Sequence, residues 1–311
     1  MTDRQERQPL GGGGNNGVKQ VHAPIEQPCG RQTAHARLQS LLSLISVLGF
    51  LTFGPCVSLA TAQTTPEEVD VALVLAVDIS YSMDMDELAL QRSGYRAAIT
   101  SNEVMQAIGG GLTGKIAVLY LEWAGSGSQA VLVDWHVIGS PEDAANFAAA
   151  LAETPVRRAY RTAIGDALLY SAAQFDRMPV TAMKRVIDVS GDGPNNQGTF
   201  APVARDEVIA KGIVINGLPL QLKLRSGSWS DMDNLDVYYE TCVIGGPGAF
   251  VVPVRGADRF AEAIRRKLVL EIAGTPPAGE TARVIRAATG IDPLCLEGER
   301  RWQMRNRYED R

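Results

Sequence analysis

The chain has 311 residues, 45% of them hydrophobic, a formal net charge of −5 and only three histidines. That is enough apolar material for a sizeable core, and the acidic balance, with no basic stripe interleaved with aromatics, excludes a nucleic-acid-binding surface. The sparse histidines and four cysteines also leave a histidine- or cysteine-based zinc site without ligands.

The first 37 residues are rich in Gly, Gln and Asn, with scattered Arg and Lys and no hydrophobic period, so they read as a disordered leader. Leu38 to Ala60 is strongly apolar and runs into Ala60-Thr61-Ala62, the small-x-small pattern of a signal-peptidase site. Cleavage after Ala62 is expected, which makes the mature protein periplasmic or secreted, with no membrane association. A retained anchor is the alternative, since the stretch is near the lower limit of about 17 to 20 residues for a span; Gly54-Pro55 and the cleavage pattern favour removal. Export leaves Cys242 and Cys295 as an even pair in an oxidising compartment, and a disulfide between them is expected beside the alternative of two unrelated thiols.

After Ala62, short β-branched runs alternate with amphipathic stretches, the pattern of a parallel sheet wrapped by helices. Strands are predicted over Val69 to Val77, Lys115 to Trp123, Ala130 to Val137, Arg185 to Val189, Gly212 to Leu218 and Ala249 to Val254. The first lacks polar alternation and reads as buried on both faces. The second and third are joined through Ala124-Gly125-Ser126-Gly127-Ser128, too short for a crossover, so they form an antiparallel hairpin at the sheet edge. Helices are predicted over Asp86 to Thr100, Pro141 to Glu153, Ala163 to Met178, Pro202 to Lys211, Leu235 to Val243 and Asp258 to Ile272, with one further helix over Glu280 to Thr289. The fold class is therefore α/β: a doubly wound, mostly parallel sheet with an antiparallel edge strand and helices on both faces, over residues 63–274. Residues 1–62 form the leader and 275–311 a tail, whose Arg-rich end, interrupted by acids, reads as solvated.

Three segments carry oxygen ligands next to strand or helix ends. Asp78-Ile79-Ser80-Tyr81-Ser82 closes the first strand, Thr162 to Leu168 opens a helix, and Asp188 to Asn196 follows a later strand. In an open α/β sheet such loops converge outside the carboxyl ends of the strands. Carboxylates and hydroxyls suit a hard cation, and Mg²⁺, or Mn²⁺ or Ca²⁺, can be held by such a set without being saturated. The same residue types also serve helix caps and turns, and Asp166, Asp188 and Asn195 are read in that supporting role.

The order Asp-x-Ser-x-Ser, then Thr with Gly three residues on, then Asp-Gly after a hydrophobic strand resembles the metal-ion-dependent adhesion site of the von Willebrand factor A domain, and in detail a secreted bacterial branch of unknown function. The resemblance implies a metal site of Asp78, Ser80, Ser82, Thr162 and Asp192, and a protein partner offering an acidic side chain. The family usually has small residues where Arg157, Arg158 and Arg161 stand here, and this cationic rim favours acidic partners. A metal-dependent phosphoester hydrolase using Asp192 or Asp166 as base, and a metal-free scaffold, are the competing readings. Gly109 to Gly114 fits Gly-x-Gly-x-x-Gly but follows a helix and precedes a strand, the reverse of a dinucleotide loop. His136 has no nucleophile elbow beside it, so no catalytic residue is assigned.

Overall fold

Alternate side chains of the first strand face two separate cores, and the rest of the architecture is built around that division. In the computed structural model, which describes residues 67–222, 232–274 and 292–309, strand β1 (Glu68–Asp78) points Leu73, Leu75 and Val77 to one side and Ala72, Val74 and Ala76 to the other. A strand apolar on both faces needs helices on both faces. The leader and the helix expected over Glu280 to Thr289 lie outside the described residues.

The six strands run in the order β3-β2-β1-β4-β5-β6. β2 (Ile116–Trp123), β4 (Thr181–Gly191) and β5 (Val214–Gln221) lie parallel to β1 or to one another, while β3 (Ala130–Ile138) is antiparallel to β2 at the edge. β6 (Val254–Arg255) is a two-residue strand on β5, shorter than the run expected from Ala249. Pro253 within that run has no amide to donate to a ladder, and Val251 manages only an isolated bridge to Gly217.

Helices α1 (Met85–Ile99), α2 (Asn102–Gly109), α3 (Pro141–Glu153) and α7 (Phe260–Ala273) cover the Leu73 face. Helices α4 (Ile164–Gln174), α5 (Ala201–Ala210) and α6 (Leu235–Tyr238) cover the other. Their starts follow local chemistry. Asp84 and Glu87 make a reciprocal capping box at α1, and Ser140 with Pro141 starts α3. Helix α2 was not expected; Ser101 caps it and begins a second helix one residue after α1 ends at Thr100. A last helix, α8 (Glu297–Glu309), forms where the sequence suggests a solvated tail. A disulfide between Cys242 and Cys295 ties the turn before it to the π-helical turn Tyr239–Val243 that comes after α6.

The glycine run before β2 has a structural use. The Asp70 carboxylate accepts the amides of Thr113 and Gly114, and a Cβ on Gly111 would sit 2.1 Å from Asp70 Oδ2. Only glycine leaves room for that anchor.

One polar cluster is buried within the Leu73 side. Lys267 of α7, wholly buried, pairs with Asp188 of β4 at 2.6 Å and with Glu271 one turn along its own helix. Asn216 of β5 donates to Glu271 at 3.2 Å and accepts the Phe250 amide at 3.1 Å. Breaking such a buried set by removing one partner costs about 3–5 kcal/mol, so the cluster fixes α7 to the central strands. Burial pushes the Glu271 carboxyl from its ordinary 4.5 up to about 7, with Asp188 adding to the rise and Lys267 opposing it. Folded Glu271 thus keeps a proton that the unfolded chain has released, and the stability this contributes is full below pH 4.5 and is lost as pH rises through about 7. Denaturant melts across that range should show a decline in the wild type that flattens in Glu271→Gln; an equally steep decline in the variant would contradict this.

Candidate metal centre

The register of the sheet decides which residues meet at its carboxyl edge. Asp78 is the last residue of β1, aligned with Trp123 of β2, and Val77 is aligned with Ser190 of β4, so the chain leaving β1 and the chain leaving β4 emerge side by side. Asp78 is fully buried. Its Oδ1 accepts the Ser80 amide at 2.7 Å, which turns the chain so that the Ser80 and Ser82 hydroxyls lie 2.8 Å apart. Ser82 then donates to Asp192 Oδ1 at 2.6 Å, across 110 residues of sequence. Four of the five expected ligands therefore form one contiguous group: Asp78, Ser80, Ser82 and Asp192.

Thr162 joins that group through its loop. Its amide donates to Asn196 Oδ1 at 3.1 Å and its carbonyl accepts the Asn196 amide at 2.8 Å, so the Thr162 loop is stitched to the segment just beyond Asp192. Ala163 donates to Ala124 at the end of β2, and Ala159 donates to Ile79, which brings the same loop against the end of β1. Thr162 is itself buried. Arg161, directly before it, has φ of 76°, the left-handed region that a non-glycine residue rarely occupies.

The electrostatics of the group are those of an acid pair. Burial raises the Asp78 carboxyl well above the usual carboxylate range, and the neighbouring Asp192 charge raises it further, against the lowering effects of Ser80 and of the Asp192 backbone amide. Asp78 Oδ2 makes no hydrogen bond. Beside it lies the Tyr239 hydroxyl, also buried without a partner, and a Cβ on Gly191 would meet that hydroxyl at 2.8 Å and Asp78 Oδ2 at 2.9 Å. Gly191 keeps the cleft open. Tyr239 stands 161 residues after Asp78, and no pattern in the sequence points to it. A buried carboxylate oxygen without a hydrogen donor, a second carboxylate raising its pKa and two adjacent hydroxyls are the donor set a hard divalent cation uses, so the residues present fit such an ion. Among the described residues no group of three or more His, Cys, Asp or Glu side chains is gathered, which leaves hydroxyls as necessary members of any site here.

The supporting residues separate cleanly. Asp166 accepts the Ser126 hydroxyl at 2.5 Å and the Thr199 amide at 2.9 Å, closing the start of α4. Asp188 lies inside β4 rather than in the loop after it and belongs to the Lys267 cluster. Asn195 is the hub. Its Oδ1 accepts the Gly165 amide, its Nδ2 faces the carbonyls of Gln197 and Thr199 and the Glu299 carboxylate, and its own amide donates to the Tyr238 hydroxyl. At the start of α1 the Glu87 amide is served internally by Asp84. The arginine rim is engaged as well: Arg157 faces Glu122 at 3.7 Å, Arg158 donates to the Tyr81 carbonyl and covers its ring, and Arg161 stacks on Trp302. His136 lies on the edge strand, against its own Asp134 carbonyl and the Phe147 ring.

Truncating Asn195 strands several buried backbone groups at once, each costing about 1–3 kcal/mol when left unmade. Asn195→Ala should lower the unfolding free energy by about 2–3 kcal/mol in urea melts, and a loss under about 0.5 kcal/mol, the size of an ordinary surface change, would refute the hub.

Residues 68–276 match the family described as Protein of unknown function (DUF1194). No curated protein matches the chain. Among solved structures it is similar to the pilus adhesin SpaC from Lactobacillus rhamnosus GG, at 14% identity and a TM-score of 0.50, over 67% of this chain and 31% of that one. It is also similar to a von Willebrand factor type A protein from Catenulispora acidiphila, at 14% identity and a TM-score of 0.43, over 66% and 43% of the two chains. A third is proximal thread matrix protein 1 from the mussel byssus, determined with a zinc-occupied MIDAS motif, at 13% identity and a TM-score of 0.46, over 67% and 49%. The chain spans less than half of each of these proteins, and likeness at such identities speaks to fold alone. By its match over residues 68–276 the chain belongs to the DUF1194 family, whose function is unknown, and by its sheet order and antiparallel edge strand it has a von Willebrand factor A-type fold.

Proposed function

We propose that this protein is an exported, non-enzymatic binding module of the adhesion type. Asp78, Ser80, Ser82, Thr162 and Asp192 would hold one divalent cation, Mg²⁺ with Mn²⁺ or Ca²⁺ as substitutes. A bound cation would offset the charge of the two carboxylates and offer its remaining coordination to an acidic side chain of a partner protein. The observation that carries this reading is the contiguous group from Asp78 to Asp192, in which a buried carboxylate oxygen has no hydrogen donor.

Binding is favoured over hydrolysis because Asp166, the alternative base, already accepts two hydrogen bonds that tie the Ser126 and Thr199 loops to α4. Export is supported by the leader sequence and by the Cys242–Cys295 pairing, which suits an oxidising compartment. Among the described residues no helix is long and apolar enough to cross a membrane.

Thermal unfolding with Mg²⁺ or Mn²⁺ against chelator tests the reading. At metal concentrations about a hundredfold above Kd, mass action adds about 2.7 kcal/mol, and for a domain of this size each kcal/mol moves the midpoint by roughly 2–4 °C. Asp78→Asn should behave in the opposite way in the two conditions. In chelator it removes a buried charge repelled by Asp192, so its midpoint should equal or exceed that of the wild type; with metal it should gain nothing. A wild type indifferent to every divalent ion would end the proposal, and turnover of a phosphoester substrate lost in Asp192→Asn would transfer it to the hydrolase.

A further inference from the structure

We infer that helix α8 is a positioning clamp for the candidate metal site. Glu299 and Trp302 hold the two loops that carry Asp192 and Thr162, and Gly298 allows the helix to lie against them. This rests on the metal-binding reading for its consequence, though not for its geometry.

The sequence of α8 gives little reason for it to dock. Glu297 to Glu309 is dominated by charged residues, and the helix has no apolar stripe with which to bury itself. Gly298, Glu299, Trp302 and Arg305 share one face, at the spacing that brings residues one turn apart together. The contacts of Gly298, Glu299 and Trp302 fall on Asn195 and Arg161, residues that shape the site, while Arg305 packs on Trp302 of its own helix.

Glu299 Oε1 accepts from Asn195 Nδ2 at 2.8 Å, and Asn195 stands three residues after Asp192 while its other end holds the first turn of α4. The Trp302 ring lies under the Arg161 guanidinium at 3.2 Å, with Arg305 also over that ring at 5.3 Å. Arg161 is the left-handed residue directly before Thr162. A strained backbone persists only where its surroundings over-determine it, and a stacked guanidinium supplies such a tie.

The approach is close enough to demand glycine. A Cβ on Gly298 would stand 1.9 Å from the Asn195 carbonyl oxygen and 2.8 Å from its carbonyl carbon, a backbone clash that no rotamer relieves. The disulfide at Cys295, three residues earlier, fixes where the helix begins. The family match ends at residue 276, so the clamp comes from a segment beyond the matched region and reaches back onto its loops.

Gly298→Ala is the discriminating variant. Alanine is the better helix former, so a helix merely lying on the surface would be unaffected or improved. A clamp would be forced off the Asn195 backbone. Two measurements on the full chain with its disulfide intact separate the outcomes: amide exchange of Thr162, Gly165 and Asn196 in chelator, and calorimetric titration with Mn²⁺.

Gly298→Ala and Glu299→Ala should speed exchange at those three amides by about tenfold, as for a loop whose local opening becomes easier, and weaken Mn²⁺ binding by about tenfold, the usual penalty for losing a group behind the ligands. Glu299→Gln keeps an acceptor for Asn195 and should stay near the wild type. Should Gly298→Ala fail to fold, Glu299→Ala and Trp302→Ala carry the test. Unchanged exchange in the folded variants would overturn the clamp, and faster exchange with unchanged Mn²⁺ affinity would overturn its role at the site. A wild type that binds no Mn²⁺ would remove the metal-binding reading, leaving the clamp to be judged on exchange alone.

Discussion

The arrangement at the carboxyl edge of the sheet turns on two acids set close together by parallel strand pairing. β1 and β4 are neighbours in register, so the segments leaving the two strands emerge at the same height, and Asp78 and Asp192 are held near one another by the ladder rather than by any local turn. Burial first, and the neighbouring Asp192 charge second, raise the Asp78 carboxyl, and the two acids sit at the end of a sheet buried on both faces. A looser scaffold would relax by moving the two acids apart.

Keeping that edge in place requires the loops to satisfy their own backbone. Loops running over one another at a buried edge cannot rely on water for every amide and carbonyl, and the chain solves this with side-chain amides. Asn196 serves the Thr162 loop and Asn195 serves Gly165, Gln197 and Thr199. Asparagine suits the task because one side chain both donates and accepts, so a single residue can bridge groups of opposite polarity on different segments. Asp166 does related work with two acceptors.

Much of this was legible in the sequence, and the divide is physical. The strands β1 and β2 announce themselves because residues buried on both faces must be apolar throughout, and the Ser140-Pro141 start of α3 is a local signal, whereas the Asp84 capping box goes unread and the predicted helix begins at Asp86. The Asp78, Ser80 and Ser82 grouping was visible because its geometry is made within five residues. Partners contributed by distant segments were not. Tyr239 and Glu299 reach the site through topology alone. Lys267 and Glu271 look like any i,i+4 surface pair until α7 is laid across β4, where the same spacing becomes a buried cluster. Helix α8 is not predicted as a helix, though its arginines Arg300, Arg305 and Arg307 are exposed as its polar composition implies; a disulfide and one glycine bring its start against the loops.

β4 thus carries two acids with opposite fates on one strand and its exit. Asp188 and Asp192 stand four positions apart, and the first meets a lysine that the fold itself delivers, at 2.6 Å from Lys267. That pairing is complete without anything from solution, so its work is to fix α7. Asp192 instead meets a serine hydroxyl and a second acid whose Oδ2 makes no hydrogen bond. An acid pair of that kind gains most from a compact, removable positive charge, because a lysine at the same place would neutralise only one carboxylate and would itself need desolvating at several kcal/mol. A divalent ion neutralises both charges and keeps part of its hydration. The contrast between the two acids is one of position: Asp188 lies where α7 passes over the sheet, and Asp192 lies beyond the last strand residue, where the loops meet.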